Sequence, residues 1–180
     1  MFKESINRKK FQIETERLLL VPISLEYTHI IFSEFDLYIT KYMVPTPAKN
    51  INAMIDYINE LIQKNTNQTW AYLVILDKIS KEFLGYVWLH APETDIPELG
   101  LRIKKSAHSQ KYWLEAAQWL IERAQKNLIF DYIVYPVDHR NIASRKIPEK
   151  LWWDTDWTII KKKTLDPDKN LEILTYKIYS

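Results

Sequence analysis

The sequence predicts an α/β sandwich built on a mixed sheet, because β-forming stretches and amphipathic helical stretches follow one another in the order β α α β β β α β α β β. Three observations carry this. Trp113, Ala116, Ala117, Leu120, Ile121 and Ala124 fall at i, i+3, i+4, i+7, i+8 and i+11, the stripe of a helix laid on a sheet. Residues 70–76 and 83–90 read as two strands joined through 77–82 as a hairpin. Residues 98–117, ELGLRIKKSAHSQKYWLEAA, read as a short strand, a polar loop and a helix, the arrangement that aims backbone N–H groups and a helix N-terminus at a phosphate.

Taken in order, residues 1–10 read as a loose basic tail and 11–180 as one domain. Residues 17–21 form a first strand closed by Pro22, and Ser24 is placed to cap a helix over 25–35. Residues 41–49, with Pro45 and Pro47, are a loop. Asn50 caps a second helix whose Ile51, Met54, Ile55, Ile58, Leu61 and Ile62 share one face. Strands follow at 99–103 and, after the helix that starts near Tyr112, at 131–135, where Tyr132-Ile133-Val134-Tyr135 is rich in β-formers. A short helix within 142–151 precedes two strands at 158–160 and 171–178, separated by a turn at Asp166-Pro167-Asp168.

Composition narrows the function classes. The chain has 180 residues, 47% hydrophobic and 27% charged, with a formal charge of +2, too mild to argue for nucleic acid. It contains no cysteine, which excludes disulfides, thiolate nucleophiles and thiolate metal sites, and no His/Asp/Glu spacing suggests a metal. No apolar run reads as a signal peptide or approaches the roughly 20 residues of a membrane helix. A cytoplasmic location without membrane association is the expectation. Glycine is nearly absent, with only Gly85 and Gly100, so any backbone that approaches a ligand closely elsewhere must do so with side chains in place.

Three local matches, in order and at family-like separations, resemble the GNAT acetyltransferases: the opening Thr15-Glu16-Arg17-Leu18, Glu98-Leu99-Gly100 followed by the loop and Glu115-Ala116, and Asn141-x-x-Ser144 followed by Glu149-Lys150-Leu151. The opening is similar to the branch of ribosomal-protein N-terminal acetyltransferases. The resemblance covers residues 13–180 and implies a mixed, mostly antiparallel sheet flanked by about four helices, with acetyl-CoA as co-substrate. The acceptor it implies is a primary amine, of a small molecule or a protein N-terminus, and the protomer could pair as a homodimer.

The family's phosphate loop is usually Arg/Gln-x-x-Gly-x-Gly/Ala; here the six positions read Ser106-Ala107-His108-Ser109-Gln110-Lys111, so both glycines are missing. The resemblance places cofactor contacts on the backbone of Leu101, Arg102 and Ile103 and on the loop and helix start, Ser106, His108, Ser109, Gln110, Lys111 and Tyr112. The ammonium of Lys111 could pair with phosphate or its stem could obstruct it, and His108 and Lys104 could add positive charge. Asn141 would contact the pantetheine region and Ser144 would lie near the sulfur; read without the family, Asn141 caps a helix and Ser144 sits in its first turn. The tyrosine acid common in the family is replaced by Pro148, which also threatens a helix begun at Ile142. The family's closing Gly-Phe is replaced by Trp152-Trp153.

Acetyl transfer from a thioester needs a neutral amine, a polarised carbonyl, aligned reactants and a protonated leaving thiolate. Glu98 is the candidate base, at a strand end beside the expected acceptor cleft, with His90 second. Glu93 and Asp95 could attract a cationic acceptor, and Tyr86 and Trp88 could line its side of the sheet. The expected function is an acetyl-CoA-dependent N-acetyltransferase with Glu98 and Ser144 as catalytic residues. The alternative is a degenerate member that binds a ligand or partner without turnover.

Overall fold

A computed structural model describes residues 12–66, 70–90, 94–151, 154–164, 166 and 168–179, with only the backbone described for residues 70, 156, 157 and 163. Its strands are β1 (Ile13–Glu14), β2 (Leu18–Pro22), β3 (Trp70–Asp77), β4 (Phe83–His90), β5 (Glu98–Ile103), β6 (Tyr132–Asp138), β7 (Asp154–Lys163) and β8 (Asn170–Tyr179). Its helices are α1 (Thr28–Glu34), α2 (Leu37–Thr40), α3 (Ile51–Thr66), α4 (Tyr112–Asn127) and α5 (Ile142–Lys150). The strands form one sheet in the order β1-β2-β3-β4-β5-β6-β8-β7, antiparallel throughout except for the parallel pair β5–β6.

Each face of the sheet buries its own core. Leu99 and Ile103 of β5 pack with Val87 and Leu89 of β4, Ile133 and Tyr135 of β6, and Ala116, Leu120 and Ile121 of α4, while Ile147 of α5 closes this layer. On the other face Tyr72, Val74 and Tyr86 pack with Ile31, Phe35, Met54, Ile58 and Leu61 from α1 and α3 and the residue after α1. Two-residue alternation along each strand sends successive side chains to these two layers.

The predicted elements differ from the observed ones at their ends. The helix expected over 25–35 is a 3-10 turn, Leu25–Tyr27, running into α1, and Ser24 bonds Glu26 rather than the turn's N–H groups. The expected loop 41–49 is preceded by α2, whose capping carboxylate is Asp36. Asn50 does cap α3, accepting from Ala53 N at 2.9 Å. The strand expected over 131–135 continues through Pro136 to Asp138. Helix α5 also forms with Pro148 inside it and buried. Residues 1–10, Pro167 and Trp152-Trp153 lie outside the described residues.

Candidate active site

Strands β5 and β6 pair at one point only, Glu98 with Val134, beside the bonds Val134 N to Pro97 O (2.9 Å) and Asp131 N to Asp95 O (2.8 Å). Beyond it the sheet splits. Pro136 supplies a reason. Alternation that points Val134 N at β5 points the nitrogen of residue 136 the same way, and proline has no N–H to continue the ladder. The proline costs nothing on the other side, where β6 stays in register with β8 through Asp138.

The same alternation sorts the β5 backbone. Pro97 O faces β6, whereas Lys104 N donates to Leu84 O of β4 at 2.8 Å. Leu101 and the N–H of Ile103 therefore face the gap, where an extended ligand could add itself as a strand. The carbonyl of Ile103 is already occupied by His108 Nε2 at 3.0 Å, so that ring nitrogen carries the proton. Arg102 corrects its expectation: its backbone faces β4, paired with Tyr86, and its side chain projects onto the α1–α3 face. Both glycines of the chain serve this region. A Cβ on Gly100 would lie 2.1 Å from the Trp88 ring, and one on Gly85 2.0 Å from Arg102 O.

The loop after β5 holds glycine geometry without glycine. Ser109 (φ 65°) and Lys111 (φ 61°) occupy the left-handed region, at the two positions where the family pattern has glycine. Lys111 is the N-cap of α4 and contributes no side-chain cap. Among the described residues nothing accepts from the N–H groups of Ser109, Gln110, Lys111, Tyr112 or Trp113, which leaves a concave run of donors at the head of a 16-residue helix. Gln110 Nε2 reaches back to Ser106 O, and Gln110 O accepts from Arg17 Nη1 at 3.1 Å. Two sources of positive charge that the sequence suggests are engaged otherwise: His108 on Ile103 O, and buried Lys104 in an ion pair with Glu82. Lys111 instead lines a cleft of about 450 Å³ with Glu16, Arg17, Leu114, Glu115 and Gln118.

At the split lie the two proposed chemical groups. Glu98 is partly buried and its carboxyl is pushed above the usual carboxylate range by burial, with Lys162 pulling in the other direction. Ser144, in the first turn of α5, lies 2.6 Å from the hydroxyl of buried Tyr135 on β6. Burial pushes the Tyr135 phenol up to about 12 against the opposing hydrogen bond from Ser144. Asn141 caps α5, its Oδ1 accepting from Ser144 N at 3.1 Å, so it positions Ser144 whatever else it touches. Asp138 holds the turn into α5: it accepts from Arg140 N, Nε and Nη2 and from Glu172 N. Burial pushes the Asp138 carboxyl up, and these donors outweigh it and hold it below the usual range.

Sequence reasoning missed Tyr135 and Asp138. The first hides among β-formers, and the second lies three residues past Tyr135, where the predicted strand stops. Because Leu99 and Tyr135 share the α4 layer, Glu98 projects from the opposite face. The Glu98 carboxylate and the Ser144–Tyr135 hydroxyl pair thus flank the split from its two sides. His90, the second candidate base, is the register partner of Glu98. Among the described residues no group of three or more His, Cys, Asp or Glu is placed to hold a metal ion, and no helix is long and apolar enough to cross a membrane.

A split sheet, a donor-rich loop heading a helix along it, and a carboxylate and a hydroxyl pair on its two sides make a site of the kind that suits acyl transfer from a phosphate-bearing co-substrate. Residues 17–151 match the model of the acetyltransferase (GNAT) domain, and the chain belongs to that family. It is an acetyltransferase domain with acetyl-CoA as co-substrate. No curated protein matches the chain. Solved structures share its fold. The ribosomal L7/L12 α-N-protein acetyltransferase RimL, in complex with coenzyme A, superposes with a TM-score of 0.83 at 12% identity, covering 94% of this chain and 98% of that one. The microcin C7 self-immunity acetyltransferase MccE, in complex with acetyl-CoA and AMP, gives 0.81 at 16%, covering 92% and 94%. A GNAT-family acetyltransferase from Bacillus anthracis gives 0.76 at 16%, covering 94% and 98%.

Proposed function

We propose that the enzyme acetylates a primary amine, of a small molecule or a protein N-terminus, with Glu98 as base and the Ser144–Tyr135 pair serving the leaving thiolate. The observation that carries this is the placement of Glu98 and that pair on opposite faces where β5 and β6 part. The amine approaches from the α1–α3 face and acetyl-CoA lies in the gap along β5. The amine nitrogen attacks the thioester carbonyl, whose oxygen is polarised by an N–H of the β5 edge. The C–N bond forms, the C–S bond breaks, the amine proton passes to Glu98 directly or through water, and the thiolate takes a hydrogen bond from Ser144 backed by Tyr135. Burial that raises the Glu98 pKa makes it a better proton acceptor near neutral pH.

The test joins binding and turnover. Acetyl-CoA at 100 times its dissociation constant stabilises the fold by about 2.7 kcal/mol, read as a rise in melting temperature. Thiol release is then followed with a panel of amines and peptides. A melting shift with amine-dependent thiol release supports the reading. No shift at millimolar acetyl-CoA returns the chain to the alternative, a family member that has kept the fold and lost turnover.

A further inference from the structure

The side chain of Arg102 is the least explained cation in the described structure. Its guanidinium carbon stands 5.7 Å from the Phe35 ring, 5.4 Å from Tyr86 and 5.7 Å from Trp88, a three-sided aromatic box on the acceptor face. Its Nε is buried and has no hydrogen-bond partner, and no carboxylate among the described residues pairs with it. A buried guanidinium nitrogen left without an acceptor is costly, and aromatic faces do not satisfy its donor. The remaining groups around it set the charge of the face. Lys169, from the β7–β8 turn, donates to Thr40 O at 2.7 Å and lies within the field of Arg102; burial, chiefly, and then Arg102 hold its pKa down against the opposing pull of Asp166. Glu98 and Lys162 lie further along the same face.

Glu98 and Arg102 point the same way from β5, four residues and about 13 Å of strand apart. Between them is Gly100, over which the Trp88 indole lies. The face thus offers a carboxylate at the end of β5 that still pairs with β6 and an unpaired guanidinium, seconded by an ammonium, toward the splayed end.

We infer that the acceptor is an amine carrying a carboxylate several bonds away, its amine taken by Glu98 and its carboxylate by Arg102 with Lys169. This rests on the acetyl-transfer reading and names the acceptor's chemistry. The planar fork of Arg102 suits a carboxylate.

Two matched pairs of probes test it: 5-aminopentanoate against pentylamine for a small-molecule acceptor, and Ser-Glu-amide against Ser-Gln-amide for a peptide one. Calorimetry measures binding to the full chain with and without coenzyme A, so the outcome does not depend on turnover. In at least one pair the carboxylate member should bind about tenfold or more tightly, the scale of one charge-assisted hydrogen bond. That preference should collapse to below about threefold in Arg102→Met, a substitution that keeps an apolar chain in the box, and shrink in Lys169→Met. Melting curves confirm folding, and Lys169→Met carries the test alone should Arg102→Met not fold. Equal binding of both members of both pairs overturns the inference, as does a preference that survives both substitutions. Failure of the acetyl-transfer reading is a different result: a selective, Arg102-dependent binding with no thiol release from acetyl-CoA.

Discussion

Arg17 and Glu115 lie 98 positions apart in the chain and meet through Nε and Oε2 at 2.8 Å. Arg17 N and Thr15 Oγ1 both donate to the other carboxylate oxygen, and the Arg17 guanidinium lies 4.8 Å over the Tyr112 ring. The Thr15-Glu16-Arg17-Leu18 opening and the Glu115-Ala116 of α4, separate motifs in the sequence, are one clamp that ties the start of β2 to the first turn of α4.

Glu115→Ala takes the carboxylate from two exposed Arg17 donors and from Thr15 Oγ1, which keeps Leu18 O, and should destabilise the fold by about 1 kcal/mol, read by urea unfolding. Burial pushes the Glu115 carboxyl up, but the donors from Arg17 and Thr15 prevail and hold it below its ordinary value. Its contribution is therefore complete above the unfolded carboxylate pKa and lost as pH falls through the lower folded value. The stability difference between wild type and Glu115→Ala should shrink in acid; a gap constant down to the acid transition would deny the clamp its charge.

Lys111→Gly relieves a left-handed residue and should stabilise the fold by about 1 kcal/mol. Since Lys111 lines the cleft with Glu16 and Glu115, its removal should leave acetyl-CoA affinity equal or improved. Weaker binding in calorimetry would instead identify its ammonium as a phosphate ligand.

Ser144→Ala should lower kcat about 100-fold, the scale of one well-placed donor to developing negative charge, and cost about 1 kcal/mol of stability through its lost bond to the buried Tyr135 hydroxyl. Tyr135→Phe removes the group behind it and should cost both turnover and about 1 kcal/mol of stability, because Tyr135 is buried. Near-normal kcat in both variants would remove the pair from the chemistry and leave Ser144 as part of a helix start.

For Glu98→Gln the expected loss is in turnover, with cofactor affinity intact. The acidic limb of the wild-type rate–pH profile should sit above the ordinary carboxylate range, following the upward shift that burial imposes, and should vanish in the variant. A carboxyl whose folded pKa is raised favours folding below its unfolded value and costs stability as pH rises through the folded one. Glu98→Gln should accordingly melt higher than wild type at neutral pH. An unchanged limb would transfer the base role to His90 or water.

Periodicity alone determined the layers: the α4 stripe, the β3–β4 hairpin and the capped α3 follow from patterns that repeat every 3.6 or 2 residues, and burial of one face makes them decisive. Motif spacing likewise pointed to β5 and its loop, although Ser109 and Lys111 concealed a backbone that still takes glycine dihedrals there. Tertiary structure decided what has no local signature. Pro136, just past the predicted strand, lies inside β6 because its missing N–H faces a gap made by another strand. Tyr135 became the partner of Ser144 and Arg102 the occupant of an aromatic box only when β4, β5, β6 and α5 came together. A residue's pattern records which face it buries, whereas the chemistry at that face depends on neighbours brought in from distant parts of the chain.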